Sequence, residues 1–133
     1  MLSGAIDLPA RMNAATYFVD ANVAAGRGDK VAIIDATRGS TTTYGEFLLQ
    51  TNRVGNALRA LGVRSEERVM LLLLDTPEFA FSFFGAIKIG AVPVPTNTLL
   101  TPSDYEYLLD DSRARVLIVS EALLPAIEPI RER

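Results

Sequence analysis

The 133-residue sequence contains neither cysteine nor histidine. Their absence excludes disulfides, a thiolate nucleophile, Cys/His zinc sites and Ser-His catalytic triads. Positive charge is sparse as well, with 13 Lys and Arg against 16 Asp and Glu and a formal net charge of -3. No two basic residues are adjacent. The charge pattern therefore argues against the basic footprint of a nucleic-acid-binding protein.

Long hydrophobic runs are also missing. The longest, at residues 69–74, is far too short to span a bilayer. The N-terminus has no positively charged start followed by an apolar block, so it does not look like a signal peptide. Hydrophobic residues make up 49% and charged residues 22%, as in an ordinary globular protein. We expect a cytoplasmic protein that does not associate with membranes.

The order of the predicted elements indicates an α/β fold. Residues 69–74, VMLLLL, form a continuous apolar run between charged turns, which is typical of a parallel strand covered on both faces. Pro77 then begins a helix that carries four of the six phenylalanines. From residue 44 onward helices and strands alternate, which predicts a largely parallel sheet flanked by helices. We expect residues 1–133 to form a single α/β segment.

Local signals set the ends of these elements. Asn13 can cap a helix over residues 14–25, and Thr43 with Glu46 matches a capping box. Gly62 and Gly90 stand where helices end. The other predicted elements are a hairpin from Val31–Asp35 to residues 38–44, a helix from Thr101 to about Asp111, a strand at Val116–Val119 and a last helix from Ser120 toward Ile130.

Motifs that bind phosphate or activate a serine are missing: there is no GxxxxGK[ST], no GxGxxG and no GxSxG. Two pairs of adjacent acids occur, Glu66-Glu67 and Asp110-Asp111. Adjacent side chains do not converge in a helix or a strand. We therefore interpret both pairs as solvated surface rather than as catalytic or metal-binding pairs.

Lys88 and two tyrosines complete the set of candidate residues. Lys88 lies near the end of an apolar helix, where a charge that reaches solvent is favoured by the helix dipole. Tyr105 and Tyr107, two apart on a helix, should point to different sides. The residues alone therefore predict no catalytic, cofactor-binding or metal-binding residue.

Two stretches resemble a known family. TTTYGEF at 41–47 and AIKIGAVPVPTN at 86–97 are similar to the first two core motifs of the acyl-adenylate-forming superfamily, which includes acyl-CoA synthetases, peptide-synthetase adenylation domains and luciferases. The second motif is matched by Lys88, Gly90, Ala91 and Pro95, whereas Phe47 replaces the usual leucine of the first. NAATYFVD, GRGDKVAIID, LLDTPEF, GAVPVPTNTLLT and DDSRARVLIVSEALLP resemble the benzoate-CoA ligases in particular.

The resemblance implies a function for a longer protein. Benzoate-CoA ligases convert an aromatic carboxylate, ATP and coenzyme A into an aryl-CoA thioester through an adenylate, with Mg²⁺. Members of the family are several times longer than this chain, and their phosphate loop, acid pocket and catalytic lysine have no counterpart here. We therefore expect the N-terminal part of the adenylating domain, inactive by itself and with no cofactor bound.

The resemblance also accounts for the prolines of VPVP. In the family this segment is a strand that leads out of a sheet. Strand alternation places Pro93 and Pro95 on one face, at a strand end where they resist further pairing. We interpret the segment as a structural corner, with a contact to a ligand as the alternative.

Two rival hypotheses and one expected partner remain. The chain could be a freestanding binding or interaction module that reuses this part of the fold. A complete small enzyme is disfavoured by the missing histidine, cysteine and phosphate loop. Because the phenylalanine-rich helix and the sheet edges would lack neighbours, we also expect self-association, as a two-fold dimer.

Overall fold

The computed structural model describes residues 9–131. Strands Val31–Asp35 (β1) and Ser40–Thr43 (β2) form an antiparallel hairpin, and Arg68–Leu72 (β3), Val92–Pro95 (β4) and Val116–Val119 (β5) form a parallel sheet in the order β4-β3-β5. The predicted α/β class and the largely parallel sheet are confirmed. The elements are two π-helical segments Thr16–Asp20 and Val23–Arg27, then β1 Val31–Asp35, β2 Ser40–Thr43, α1 Tyr44–Ala60, β3 Arg68–Leu72, α2 Pro77–Lys88, β4 Val92–Pro95, α3 Pro102–Ser112, β5 Val116–Val119 and α4 Leu124–Ile127.

The central strand β3 is covered on both faces, as its continuous apolar sequence predicts. Val69, Leu71 and Leu73 face one hydrophobic cluster together with residues of α1 and α2. Met70 and Leu72 face a second cluster with Tyr105 of α3 and residues of α4. Strand alternation thus divides one apolar run between two layers of helices. The strand ends at Leu72 rather than at Leu74.

The prolines of β4 lie on the outer side of the sheet. The amides of Val92 and Thr96 donate to the carbonyls of Glu67 and Leu71, at 2.9 and 3.0 Å, so this set of amides points toward β3. In a parallel ladder the intervening residues point away. Pro93 and Pro95 occupy those outward positions, where an amide would have no partner. The interpretation of VPVP as a structural segment agrees with this register.

Helix ends follow the predicted local chemistry in most places. The Thr43 hydroxyl accepts from the Glu46 amide at 3.2 Å, and a Glu46 carboxylate oxygen accepts from the Thr43 amide at 2.7 Å. Thr101 and Asp104 form the equivalent box on α3. By contrast, Thr76 makes no side-chain capping bond to α2. Gly62 and Gly90, which follow α1 and α2, have φ of 83° and 82°, a conformation that glycine adopts without strain.

The N-terminal helical segment is anchored by Asn13. Its Oδ1 accepts from the amides of Ala15 and Thr16 at 3.0 and 3.3 Å, which confirms the predicted cap. Its Nδ2 donates at 2.8 Å to the carbonyl of Ile87, near the end of α2. The helical residues beyond are largely π-helical rather than the regular helix expected over residues 14–25.

The last helix is broken, contrary to the expectation of one helix from Ser120 toward Ile130. Three short pieces follow one another: a 3₁₀ turn at Glu121–Leu123, the helix α4 and a second 3₁₀ turn at Glu128–Ile130. Pro125 and Pro129 are the physical reason, because each removes an amide donor from the helical ladder.

The phenylalanine-rich helix α2 is packed more fully than its sequence suggests. All four of its phenylalanines are half-buried, and the rings form a chain of edge and stacked contacts that includes Phe47 of α1. Such ring pairs add to the stabilisation from burial alone. The expectation of dimerisation through exposed phenylalanines thus loses part of its basis, although self-association itself stays a prediction.

The two helices on this face approach closely through glycines. A Cβ placed on Gly85 of α2 would lie 2.8 Å from the Cβ and Cγ1 of Val54 and 3.1 Å from the carbonyl oxygen of Thr51. A Cβ on Gly55 of α1 would lie 3.1 Å from Ile89 and 3.3 Å from the carbonyl oxygen of Gly85. The spacing of α1 and α2 therefore requires that both positions lack a side chain.

We predict that Gly85→Ala destabilises the protein by about 1–3 kcal/mol, since the clash with Val54 is an overpacking defect. In an unhindered helix the same change would be favourable by about 1 kcal/mol. Gly28→Ala is the matched control, because its Cβ would meet only Val23, at 3.8 Å. Urea unfolding measures both. A Gly85→Ala variant as stable as the parent would contradict the close packing.

We predict that Thr43→Ala lowers the free energy of unfolding by about 0.5–2 kcal/mol, because the Glu46 amide loses its acceptor. Thr41→Ala, at an exposed position two residues earlier on β2, is the control and should change stability much less. Equal losses in the two variants, measured by thermal or urea unfolding, would show that the cap contributes nothing beyond strand propensity.

Candidate functional site

The connections of the parallel sheet create a switch point between β3 and β5. The chain leaves β3 through α2, on the face of the first cluster, and enters β4 on one side. It leaves β4 through α3, on the opposite face, and enters β5 on the other side of β3. In open α/β sheets a crevice forms outside the carboxyl ends of two strands related in this way, and ligands bind there.

A cavity of about 860 Å³ lies at this position. The residues after β3 and after β5 line it from two sides, and α1 and α2 supply the walls. Its apolar lining includes Val54, Leu73, Phe81 and Ile118. We call it the β3–β5 crevice. A concave apolar cavity with a few polar groups is the usual form of a small-molecule site.

Ser120 connects the two strand ends at the floor of the crevice. Its hydroxyl accepts from the Leu74 amide, and its own amide donates to the Leu72 carbonyl, both at 3.0 Å. These bonds satisfy backbone groups beyond the point where the β3–β5 ladder ends. They also explain why β3 stops at Leu72, since the Leu74 amide bonds to a side chain instead of to a strand.

An ion pair crosses the rim of the crevice. The guanidinium of Arg38, in the hairpin turn, donates through Nη1 to both carboxylate oxygens of Glu78 on α2, at 2.9 and 3.0 Å. The turn is held by Asp35, whose Oδ1 accepts from the amides of Thr37 and Arg38 at 3.0 Å. The hairpin is thereby tied to the first turn of α2.

The environment of Glu78 keeps its carboxyl ionised. Partial burial tends to raise the pKa of Glu78, but hydrogen bonding from Thr76, from its own backbone amide and from Arg38 lowers the pKa below the ordinary 4.5. A carboxylate with a depressed pKa is a poor proton donor at neutral pH. The crevice can therefore bind and orient a molecule, but Glu78 is not suited to act as a general acid.

Residues 9–131 offer neither a cluster of metal ligands nor a membrane-spanning helix. In that range no three His, Cys, Asp or Glu side chains come together in a way that could hold a metal ion. Within the same range none of the helices combines the length and the apolar character that crossing a bilayer would require.

The adjacent acids do not converge, as expected. Glu66, Asp110 and Asp111 are exposed, and Glu67 is half-buried with its carboxylate accepting from the Arg64 amide at 2.8 Å. None of the four lines the β3–β5 crevice.

The two tyrosines point to different sides, which is also as expected. Tyr105 is fully buried, and its hydroxyl donates to the Asn97 carbonyl at 2.9 Å. Tyr107 is 66% exposed. Tyr105 has a structural role, because it holds the loop between β4 and α3.

Lys88 is not the solvent-reaching charge that its sequence position suggests. Its Nζ pairs at 2.5 Å with Oδ1 of Asp20 in the first π-helical segment, and both side chains are mostly buried. The pair spans 68 residues of sequence, so no local pattern could have predicted it. Together with Asn13 it fastens the N-terminal segment to the end of α2.

The sequence did not predict the crevice, because its polar groups are scattered. Arg38, Glu78, Ser82 and Ser120 lie in three different segments, since Glu78 and Ser82 share α2, and they belong to no motif. The only usable signal was the element order, which does not reveal on which side of β3 the strand β5 lies.

The comparisons with known proteins define the class. The family model described as AMP-binding enzyme matches residues 20–133. This chain belongs to the family of AMP-binding enzymes.

Within that family several of the similar proteins are CoA ligases named for aromatic acids. The chain is 49% identical over 127 residues to "Benzoate--CoA ligase" of Thauera aromatica, covering 95% of this chain and 24% of the relative. It is 52% identical over 116 residues to "4-hydroxybenzoate--CoA/benzoate--CoA ligase" of Rhodopseudomonas palustris, covering 87% of this chain and 21% of the relative. The chain thus spans less than a quarter of the length of these curated relatives.

Solved structures give the same assignment. A benzoate CoA ligase from Burkholderia xenovorans LB400 superposes with a TM-score of 0.82 at 45% identity, over 89% of this chain and 23% of that one. The anthranilate CoA ligase AuaEII, solved with anthranoyl-AMP, superposes with a TM-score of 0.87 at 46% identity, over 95% and 24%.

We predict that Arg38→Gln raises the pKa of Glu78 toward 4.5, since one of the groups that stabilise the carboxylate is lost. The pKa is depressed in the folded state, so the contribution to stability is present above about pH 4.5 and disappears as the pH falls through the lowered value. Arg38→Gln should therefore flatten the pH dependence of stability in this acidic range.

The measurement is a carbon-detected NMR titration of the Glu78 carboxyl group in the parent and the variant. Arg59→Gln, which removes an exposed arginine from the end of α1, is the control and should leave Glu78 unchanged. An identical Glu78 titration in the parent and in Arg38→Gln would mean that the ion pair does not persist in solution.

Proposed function

We propose that this chain supplies the N-terminal portion of an ATP-dependent aryl-CoA ligase. The proposed overall reaction is benzoate, ATP and coenzyme A to benzoyl-CoA, AMP and diphosphate. The observation that carries the proposal is the 49% identity to a benzoate-CoA ligase across 95% of the chain. The structural similarity to two aryl-CoA ligases agrees with it.

The proposed role of residues 9–131 is that of a scaffold, with the catalytic, cofactor-binding and metal-binding residues in the rest of the longer enzyme. The rim of the β3–β5 crevice carries one guanidinium, Arg38, already paired with Glu78, and a second carboxylate, Glu121. These charges do not fit a triphosphate, which needs a cluster of donors and cations. We therefore assign neither ATP nor Mg²⁺ nor coenzyme A to these residues.

The proposed partners follow from the relatives and the charge. An aromatic carboxylate would be the substrate of the longer enzyme. With a net charge of -3, nucleic acid is not expected as a partner. We propose a cytoplasmic enzyme without membrane contact, and we propose that the chain as it stands self-associates as a two-fold dimer.

A freestanding binding module is the second candidate. The β3–β5 crevice favours it, because its 860 Å³ would accept a small molecule without any further part of a ligase. The two candidates differ in a testable way. A module would act alone, whereas a ligase segment acts only when joined to the remainder of the enzyme.

The test is a chimera in which residues 9–131 replace the matching segment of the Thauera aromatica benzoate-CoA ligase. We expect ATP- and CoA-dependent formation of benzoyl-CoA, because the replaced segment is about half identical. The same ligase with that segment deleted is the negative control. The isolated chain should release no AMP and show no saturable heat with Mg-ATP in calorimetry.

Each arm can fail separately. A folded chimera that forms no benzoyl-CoA would overturn the assignment to an aryl-CoA ligase. Saturable binding of Mg-ATP by the isolated chain would overturn the scaffold role and support the binding module.

A further inference from the structure

No further inference is drawn: the strongest candidate, the β3–β5 crevice as the binding place of a ligand of defined chemistry, belongs to the site already described, and nothing in the described residues 9–131 shows what covers it.

Discussion

The two-sided burial of β3 is the constraint on which the rest of the structure depends. Four consecutive residues, 69–72, have no exposed surface, and they alternate between two helical layers. A single layer would leave half of this apolar run in water, at a loss of about 1.5–3 kcal/mol for each side chain. The crossings of α2 and α3 on opposite faces supply the two layers. They also place β4 and β5 on opposite sides of β3, and so create the crevice.

The parts of the fold that the sequence predicted are those decided by local chemistry. The capping box of Thr43 and the helix-ending glycines at 62 and 90 depend on a few neighbouring residues, and the structure confirms them. The broken last helix was missed although its cause, Pro125 and Pro129, was visible. Each of these prolines removes an amide donor, which is a local effect as well.

The candidate site depends on distant contacts, which explains why the sequence did not reveal it. The Arg38–Glu78 pair joins residues 40 apart, and the Leu74–Ser120 bond joins residues 46 apart. None of these four residues belongs to a sequence motif that would reveal its partner. The family, by contrast, was recognisable, since TTTYGEF and the Lys-x-Gly-Ala segment are short and local. The family could therefore be recognised from local motifs, whereas the site depends on contacts between residues that are distant in the sequence.

Asn13 has a consequence for how the molecule opens. One side-chain amide receives the first free amides of the N-terminal helix and also bonds a carbonyl at the end of α2. A helix end normally frays by itself, at a small local free energy. Here the N-terminal segment cannot detach without also breaking its bond to the last turn of α2, and the Lys88–Asp20 pair adds a second link to the same helix end. The Asn13–Ile87 bond spans 74 positions of sequence, so opening of the N-terminal segment costs long-range contacts at the end of α2 as well as its own helix cap.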